Sequence, residues 1–292
     1  MMCDEDGDGR VTLGELEAYI RDLVPTIVVL QQELPPSMTP YYCCSAARRI
    51  FWAMDVTERG SIQICDLVRH AILDEWLQVQ MLAEDQTRNW FSVAISTQLK
   101  EKFDTLDSRR AGALTLEDMK KYKKGIPMVV DDGLPPDASP LSTLFIERIF
   151  ENWTSTSTTT SQPSQPRSVT ALGNPGEMSF ERFVDFVIAI EFLPNCYRPL
   201  LFWNALDYKG EGRITPSTAH SFFKETHAKL LSAGVAAAAM EIILQEVFDI
   251  IPTAEPLIIT KPEFVTANQC GLFAALLIDC LAFYAYENRE QK

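Results

Sequence analysis

One short pattern recurs along this 292-residue chain and restricts the folds open to it: a glycine, any residue, an apolar residue, and then Thr, Ser or Gln. The first three glycines, Gly9, Gly60 and Gly112, are 51 and 52 residues apart. Repetition at such a spacing indicates that one supersecondary unit is used several times. The copies are GRVT at Gly9, GSIQ at Gly60, GALT at Gly112, GEMS at Gly176 and GRIT at Gly212.

The first copy lies within a twelve-residue stretch, DEDGDGRVTLGE at residues 4–15, that matches the calcium loop of an EF-hand at every ligand position. Position 6 is Gly9, where the backbone must turn sharply and a Cβ would obstruct it. Thr12 at position 9 can hold a water molecule, and the glutamate at position 12 can give both carboxylate oxygens. We therefore predict at most one bound Ca²⁺, with the ligands Asp4, Asp6, Asp8, the Arg10 carbonyl and Glu15.

The other four loops keep the turn glycine and the apolar residue after it, but they have lost their ligands. A cation at position 3 or 5 would place like charge beside a bound metal ion. We predict that these loops are scaffolds without metal. The cations are Arg59 in the second loop (55–66), Arg109 in the third (107–118) and Lys209 in the fifth (207–218).

Apolar residues recur at helical spacing on both sides of the loops, and the alternation typical of strands is almost absent. The predicted fold class is all-α, with two lobes of tandem EF-hand and EF-hand-like helix–loop–helix units. A Pro- and Gly-containing segment, DDGLPPDASP, is predicted to separate them, because Pro and Gly end the preceding helix. Lobe 1 would cover residues 1–133 and lobe 2 residues 134–292.

Lobe 2 contains a polar tract, TSTSTTTSQPSQPRS, ahead of the fourth loop. Such a composition cannot bury enough apolar surface to offset the entropy of ordering. We predict a disordered insertion near residues 153–175, followed later in the lobe by C-terminal helices.

Composition narrows the classes of partner. The net charge is −14 and no basic run is present, which disfavours nucleic acid as a partner.

The seven cysteines show no CxxC pairing and are typical of reduced thiols in a cytosolic or nuclear protein. The most apolar stretch, residues 271–286, is shorter than the roughly 20 residues that span a bilayer and contains Asp279, so it predicts a buried core helix rather than a membrane anchor.

Several stretches resemble a known family, the B″ regulatory subunits of protein phosphatase 2A, and most closely its gamma type, related to the plant Fass/Tonneau cytoskeletal proteins. The resemblance covers almost the whole chain. It is most specific in NWFS (89–92) and YENRE (286–290), because EF-hand geometry requires neither. It implies a non-catalytic subunit that binds the scaffold and catalytic subunits of the phosphatase and directs them to cytoskeletal or centrosomal substrates. The implied location is the cytoplasm, including the centrosome and cytoskeleton, or the nucleus.

Family members carry a sizeable N-terminal region that includes the helix entering the first loop, whereas only three residues precede Asp4 here. The resemblance therefore predicts weakened calcium binding. Ordering a flexible backbone residue costs about 1–2 kcal/mol, and each 1.4 kcal/mol is tenfold in affinity.

Two other classes of function compete with this reading. A stand-alone EF-hand calcium sensor or adaptor is disfavoured by one intact loop among five, since sensors generally use paired intact hands. An enzyme is disfavoured because the sequence has no nucleophile elbow, HExxH motif, P-loop or clustered Cys/His set. His70, within LVRHAIL, is predicted to be a helix residue rather than a general base. We predict no enzymatic activity.

Overall fold

The computed structural model describes residues 4, 6–80, 89–125, 139–155, 176–195, 198–232, 234 and 240–289. These residues are mainly helical, which confirms the predicted predominance of helix. The helices are α1 (Leu13–Leu23), α2 (Val28–Glu33), α3 (Thr39–Met54), α4 (Ile64–Arg69), α5 (Ile72–Leu77), α6 (Val93–Leu106), α7 (Leu116–Met119), α8 (Thr143–Ser155), α9 (Phe180–Glu191), α10 (Pro199–Leu206), α11 (Pro216–Ser232), α12 (Met240–Phe248), α13 (Lys261–Thr266), α14 (Cys270–Ile278) and α15 (Cys280–Glu287).

Four short strands accompany the helices and pair in two antiparallel two-stranded sheets. Within the described ranges, no helix combines the length and the apolar character that crossing a membrane would need. The strands are β1 (Arg10–Thr12), β2 (Ser61–Gln63), β3 (Arg213–Ile214) and β4 (Ile259–Thr260).

The described residues divide into two compact units. Unit 1 holds the chain up to Ala113 together with Ser179–Ile188, and unit 2 holds the rest from Leu114 onward. This division differs from the predicted boundary at 133/134, because Leu114 pairs with Met178 in a β-bridge and α7 packs on α8. Most of the segment predicted as a linker, DDGLPPDASP, lies outside the described residues.

Unit 1 is built around the packing of α1 on α3. The buried stripe of α1 includes Leu16 and Ile20, and both belong to a core cluster with Ile50 of α3. In front of α1, Val11 of β1 pairs with Ile62 of β2. The loops at 4–15 and 55–66 are therefore joined by a strand pair whose apolar residues enter the core.

Helix α9 contributes aromatic packing and charge to unit 1. The ring of Phe180 makes edge contacts with Tyr41 and Phe103, with ring centroids 5.0 and 5.4 Å apart. The guanidinium of Arg48 in α3 contacts both carboxylate oxygens of Asp185, at 3.1 and 2.9 Å. These contacts explain why a segment so far along the sequence belongs to the first unit.

Unit 2 contains two further loop pairs. Leu114 and Met178 exchange backbone hydrogen bonds at 2.9 and 2.8 Å, which joins the third and fourth loops. Ile214 of β3 pairs with Ile259 of β4. Helix α14 packs against α11, and its ring of Phe273 contacts Phe248 and Phe264.

The apolar stretch 271–286, predicted to be a buried core helix, is buried through most of α14 but is divided into two helices, α14 and α15. Asp279 separates α14 from α15, because its carboxylate accepts hydrogen bonds from the N–H groups of Leu281 and Ala282, at 2.9 and 3.2 Å, and starts a new helix. The Asp279 side chain is fully buried and forms an ion pair with Lys124.

The polar insertion predicted near 153–175 falls mostly outside the described residues, which stop at Ser155 and resume at Gly176. Helix α8 continues to Ser155, so the first part of the predicted insertion, from Trp153, is helical.

Candidate metal centre

The three aspartates of the first loop lie close together. One carboxylate oxygen from each of Asp4, Asp6 and Asp8 lies within 4.8 Å of the other two. In the part of the chain that the structure describes, no other group of three His, Cys, Asp or Glu side chains meets this spacing. Converging carboxylate oxygens are the ligands that calcium prefers, so this arrangement fits the ion that the sequence predicts.

The same carboxylates also shape the loop. Asp4 accepts hydrogen bonds from the N–H groups of Asp8 and Gly9, both at 3.1 Å, and Asp8 accepts one from Arg10 at 2.7 Å. The backbone turns at Gly9, whose φ of +76° lies in the left-handed region that favours glycine. The local sequence therefore sets the curvature of the loop through the side chains predicted to bind the ion.

Glu15 is placed differently from the aspartates. Its Oε2 accepts hydrogen bonds from the N–H of Thr12 at 2.8 Å and from the Thr12 hydroxyl at 2.7 Å, and the N–H of Glu15 donates to Thr12 Oγ1 at 3.4 Å. This reciprocal arrangement is a capping box that starts α1. The structure thus brings Asp4, Asp6 and Asp8 together but leaves Glu15 on Thr12. To supply two ligand oxygens, the Glu15 side chain would have to leave Thr12.

The second, third and fifth loops retain only part of this arrangement. In each, the aspartate at position 1 accepts hydrogen bonds from the N–H groups at positions 5 and 6, as Asp4 does. One carboxylate is enough to hold the turn, which is why these loops keep their shape without a ligand set. The pairs are Asp55 with Arg59 and Gly60 (2.8 and 2.8 Å), Asp107 with Ala111 and Gly112 (3.0 and 2.7 Å), and Asp207 with Glu211 and Gly212 (2.9 and 2.9 Å).

A sixth loop, which the repeated glycine pattern did not reveal, pairs with the fifth. Its β4 strand precedes a capping box in which Thr260 donates to Glu263 from its N–H at 2.8 Å and from its hydroxyl at 2.6 Å, as Thr12 does to Glu15. The Thr260 hydroxyl and the Ala254 N–H hold the pKa of Glu263 below its ordinary value. The glycine pattern missed this loop because Leu257, with φ +60°, occupies the left-handed position. An apolar residue followed by Thr-x-x-Glu, as in Val11-Thr12, would have found it.

The three histidines of the chain lie on helices or directly beside them. His70 is exposed between α4 and α5, where its Nδ1 accepts a hydrogen bond from the N–H of Ile72 at 3.1 Å. It therefore lies between two helices, just before the start of α5, which corrects its predicted place inside a helix. His220 is exposed on α11, and His227 on the same helix lies against the ring of Phe223, 5.9 Å between centroids.

No protein-family model matches the chain. Among curated proteins, it is 29% identical to TON2 of Arabidopsis thaliana, a probable B″ regulatory subunit of protein phosphatase 2A, over 98% of this chain and 56% of that protein. It is 26% identical to the B″ gamma regulatory subunit of Xenopus tropicalis, over 99% of this chain and 58% of that protein. The Caenorhabditis elegans regulatory subunit rsa-1 is 24% identical over 95% of this chain. The chain thus spans little more than half the length of these relatives.

A solved structure shares the fold. A chain of a PP2A PR70 holoenzyme, described as its diCa form, superposes with a TM-score of 0.67 and 19% sequence identity. The match covers 94% of this chain and 92% of that chain. At this identity the comparison shows a similar fold and nothing further.

Proposed function

Because the chain belongs to the family of B″ regulatory subunits of protein phosphatase 2A, we propose that it is a regulatory subunit that binds the scaffold and catalytic subunits of the phosphatase and performs no catalysis of its own. The observation that carries the proposal is that the homology extends over nearly every element of the chain, not over one loop. On the resemblance to the gamma and Fass/Tonneau types, we propose cytoskeletal or centrosomal substrates and a location in the cytoplasm.

Reconstitution with purified subunits tests the proposal. The full chain is mixed with the scaffold–catalytic pair, and the complex is isolated by size-exclusion chromatography. We expect co-elution, and we expect the frog gamma subunit to displace the chain, because two members of one family should compete for one surface. The chain alone should hydrolyse no phosphopeptide. Failure to co-elute, or hydrolysis by the chain alone, would contradict the proposal, and co-elution without competition would favour an adaptor.

We further propose that the six loops form EF-hand-like pairs, first with second, third with fourth and fifth with sixth, and that the first alone binds Ca²⁺. Support comes from the three converging aspartates and the strand pairs at Val11, Leu114 and Ile214. The ligands would be Asp4, Asp6, Asp8, the Arg10 carbonyl and Glu15, with Thr12 holding a water molecule. The ion would neutralise carboxylates that otherwise repel one another.

Titration calorimetry with Ca²⁺ tests this site. We expect a stoichiometry no greater than one, and Glu15→Gln should abolish binding because an amide offers only one oxygen and no charge. Glu263→Gln is the matched control: Glu263 makes the same capping-box contacts, but its loop has no aspartate cluster. Binding that survives Glu15→Gln, or that is lost equally in Glu263→Gln, would place the ion elsewhere.

A further inference from the structure

The side chain of Arg10 crosses from the first loop to the second. Its Nε donates to Ser61 Oγ at 2.8 Å, and its Nη2 donates to the Ser61 carbonyl at 2.8 Å. Both contacts are partly buried and join residues 51 positions apart in sequence. A guanidinium that donates two hydrogen bonds to one residue is held in a fixed geometry.

The backbone of Arg10 is held from both sides as well. The carbonyl of the preceding Gly9 accepts a hydrogen bond from the N–H of Ile64 at 3.1 Å, and Arg10 pairs with Gln63 in the strand register. On the other side, the N–H of Arg10 donates to Asp8 Oδ1 at 2.7 Å. The residue that offers a backbone oxygen to the ion therefore connects an aspartate ligand to the second loop.

We propose that Arg10 is a positioning residue for the metal site. The two hydrogen bonds from its guanidinium to Ser61, called the fork below, attach the first loop to the second loop, which has no ligand set of its own. This attachment fixes the positions of the Arg10 carbonyl at position 7 and of the neighbouring Asp8. This inference rests on the proposed calcium site. The Arg10 side chain would then have a structural role. Its charge alone would be unfavourable, because a positive charge near a divalent metal ion repels the ion.

The direction in which Arg10→Gln changes Ca²⁺ affinity separates the effect of the Arg10 charge from the effect of its hydrogen bonds to Ser61. If the charge of Arg10 mattered most, Arg10→Gln would remove a repulsion and tighten Ca²⁺ binding. If the fork matters most, the same change frees the loop and weakens binding, and we expect a loss of about tenfold from the two charged hydrogen bonds. Arg10→Lys keeps the charge but loses the planar fork, so it should also bind more weakly than the wild type.

The experiment measures Ca²⁺ affinity by calorimetry on the full chain, for the wild type and for Arg10→Gln, Arg10→Lys, Ser61→Ala and the double variant Arg10→Gln/Ser61→Ala. Ser61→Ala removes one acceptor and should weaken binding less than Arg10→Gln. The double variant should bind no more weakly than Arg10→Gln, because both changes break one interaction. Arg59→Gln is the control: it removes the same charge from the second loop, where the Arg59 backbone N–H donates to Asp55 at 2.8 Å, and it should not weaken binding.

Melting temperatures without calcium show whether each variant is folded. Equal or tighter binding by Arg10→Gln, or additive losses in the double variant, would overturn the role of Arg10 while leaving the metal site in place. A wild-type chain that binds no Ca²⁺ would overturn both proposals, whereas wild-type binding that survives Glu15→Gln would show that the ion lies elsewhere.

Discussion

Glu225 of α11 caps the start of α8, and this contact joins two parts of unit 2 that lie far apart in sequence. Its carboxylate accepts hydrogen bonds from the N–H of Thr143 at 2.6 Å and from the Thr143 hydroxyl at 2.7 Å. The ammonium of Lys229 lies 2.7 Å from the same carboxylate and also donates to the Leu141 carbonyl at 2.7 Å. Ser142, the neighbouring residue that could cap α8, is buried, and its hydroxyl has no hydrogen-bond partner among the described residues.

We predict that Glu225→Gln lowers the free energy of unfolding by about 2 kcal/mol. A hydrogen bond to a charged group contributes about 1.5–3 kcal/mol net. The variant keeps one neutral acceptor for the helix start but loses the charge. The Glu225 side chain is 29% exposed, so solvent screening reduces the ion-pair part of the loss. For a domain of this size, about 2 kcal/mol corresponds to a fall in melting temperature of about 4–8 °C.

The effect should depend on pH in a defined direction. Burial raises the pKa of Glu225, but the hydrogen bonds from Lys229 and Thr143 outweigh burial and hold the pKa below its ordinary value. A carboxyl group whose pKa is lower in the folded state stabilises the fold above its unfolded pKa of about 4.3. That stabilisation is lost as the pH falls through the folded pKa. The gap between wild type and Glu225→Gln should therefore be full at pH 7 and narrow below about pH 4.

Thermal unfolding followed by circular dichroism, from pH 7 downward, measures this gap. Glu246→Gln is the control, because Glu246 is an exposed glutamate of α12 in the same unit and should change stability by less than about 0.5 kcal/mol. Equal losses in the two variants, or a gap that stays constant as the pH falls, would refute the assignment of a charged cap to Glu225.

Two further substitutions test features that the structure revealed. Asp279→Ala should destabilise unit 2 by about 3–5 kcal/mol, because it breaks a buried ion pair with Lys124 and removes the cap of α15. Asp279→Asn should cost less, since an amide oxygen can still cap; equal losses in chemical denaturation would show that the cap contributes nothing. Leu257→Gly should stabilise the sixth loop by about 1 kcal/mol, because a side chain at φ +60° is strained. Leu257→Ala keeps the Cβ and should give no such gain, so a similar melting temperature for both would argue against strain.

Much of the architecture was predictable because its determinants are local. The aspartates at alternate positions of the first loop accept from N–H groups two to five residues away, so their spacing alone brings them together. The apolar residue at position 8 of the repeated pattern enters the core from a short strand, and Val11 and Ile62, which hold that position in the first and second loops, pair with each other. Helical periodicity likewise identified a helical protein, since burying one face of each helix requires that repeat.

The sixth loop could not be predicted from the glycine pattern. A glycine search assumes that the left-handed turn position needs glycine, but Leu257 occupies it. The turn that contains Leu257 is closed by a hydrogen bond from the Ile258 N–H to the Glu255 carbonyl at 3.2 Å, directly before β4 pairs with β3. Such contacts can offset a local strain of about 1–2 kcal/mol.

Local chemistry therefore specifies the first loop, the helices around it and the strand residue that joins it to its neighbour. Packing over long sequence separations specifies the rest: Glu225 capping α8, Asp279 pairing with Lys124, and Arg10 reaching Ser61. In an isolated segment these polar groups would be solvated, and the partners that lie far along the sequence would be absent. They acquire those partners only when the fold removes water and brings the distant segments together.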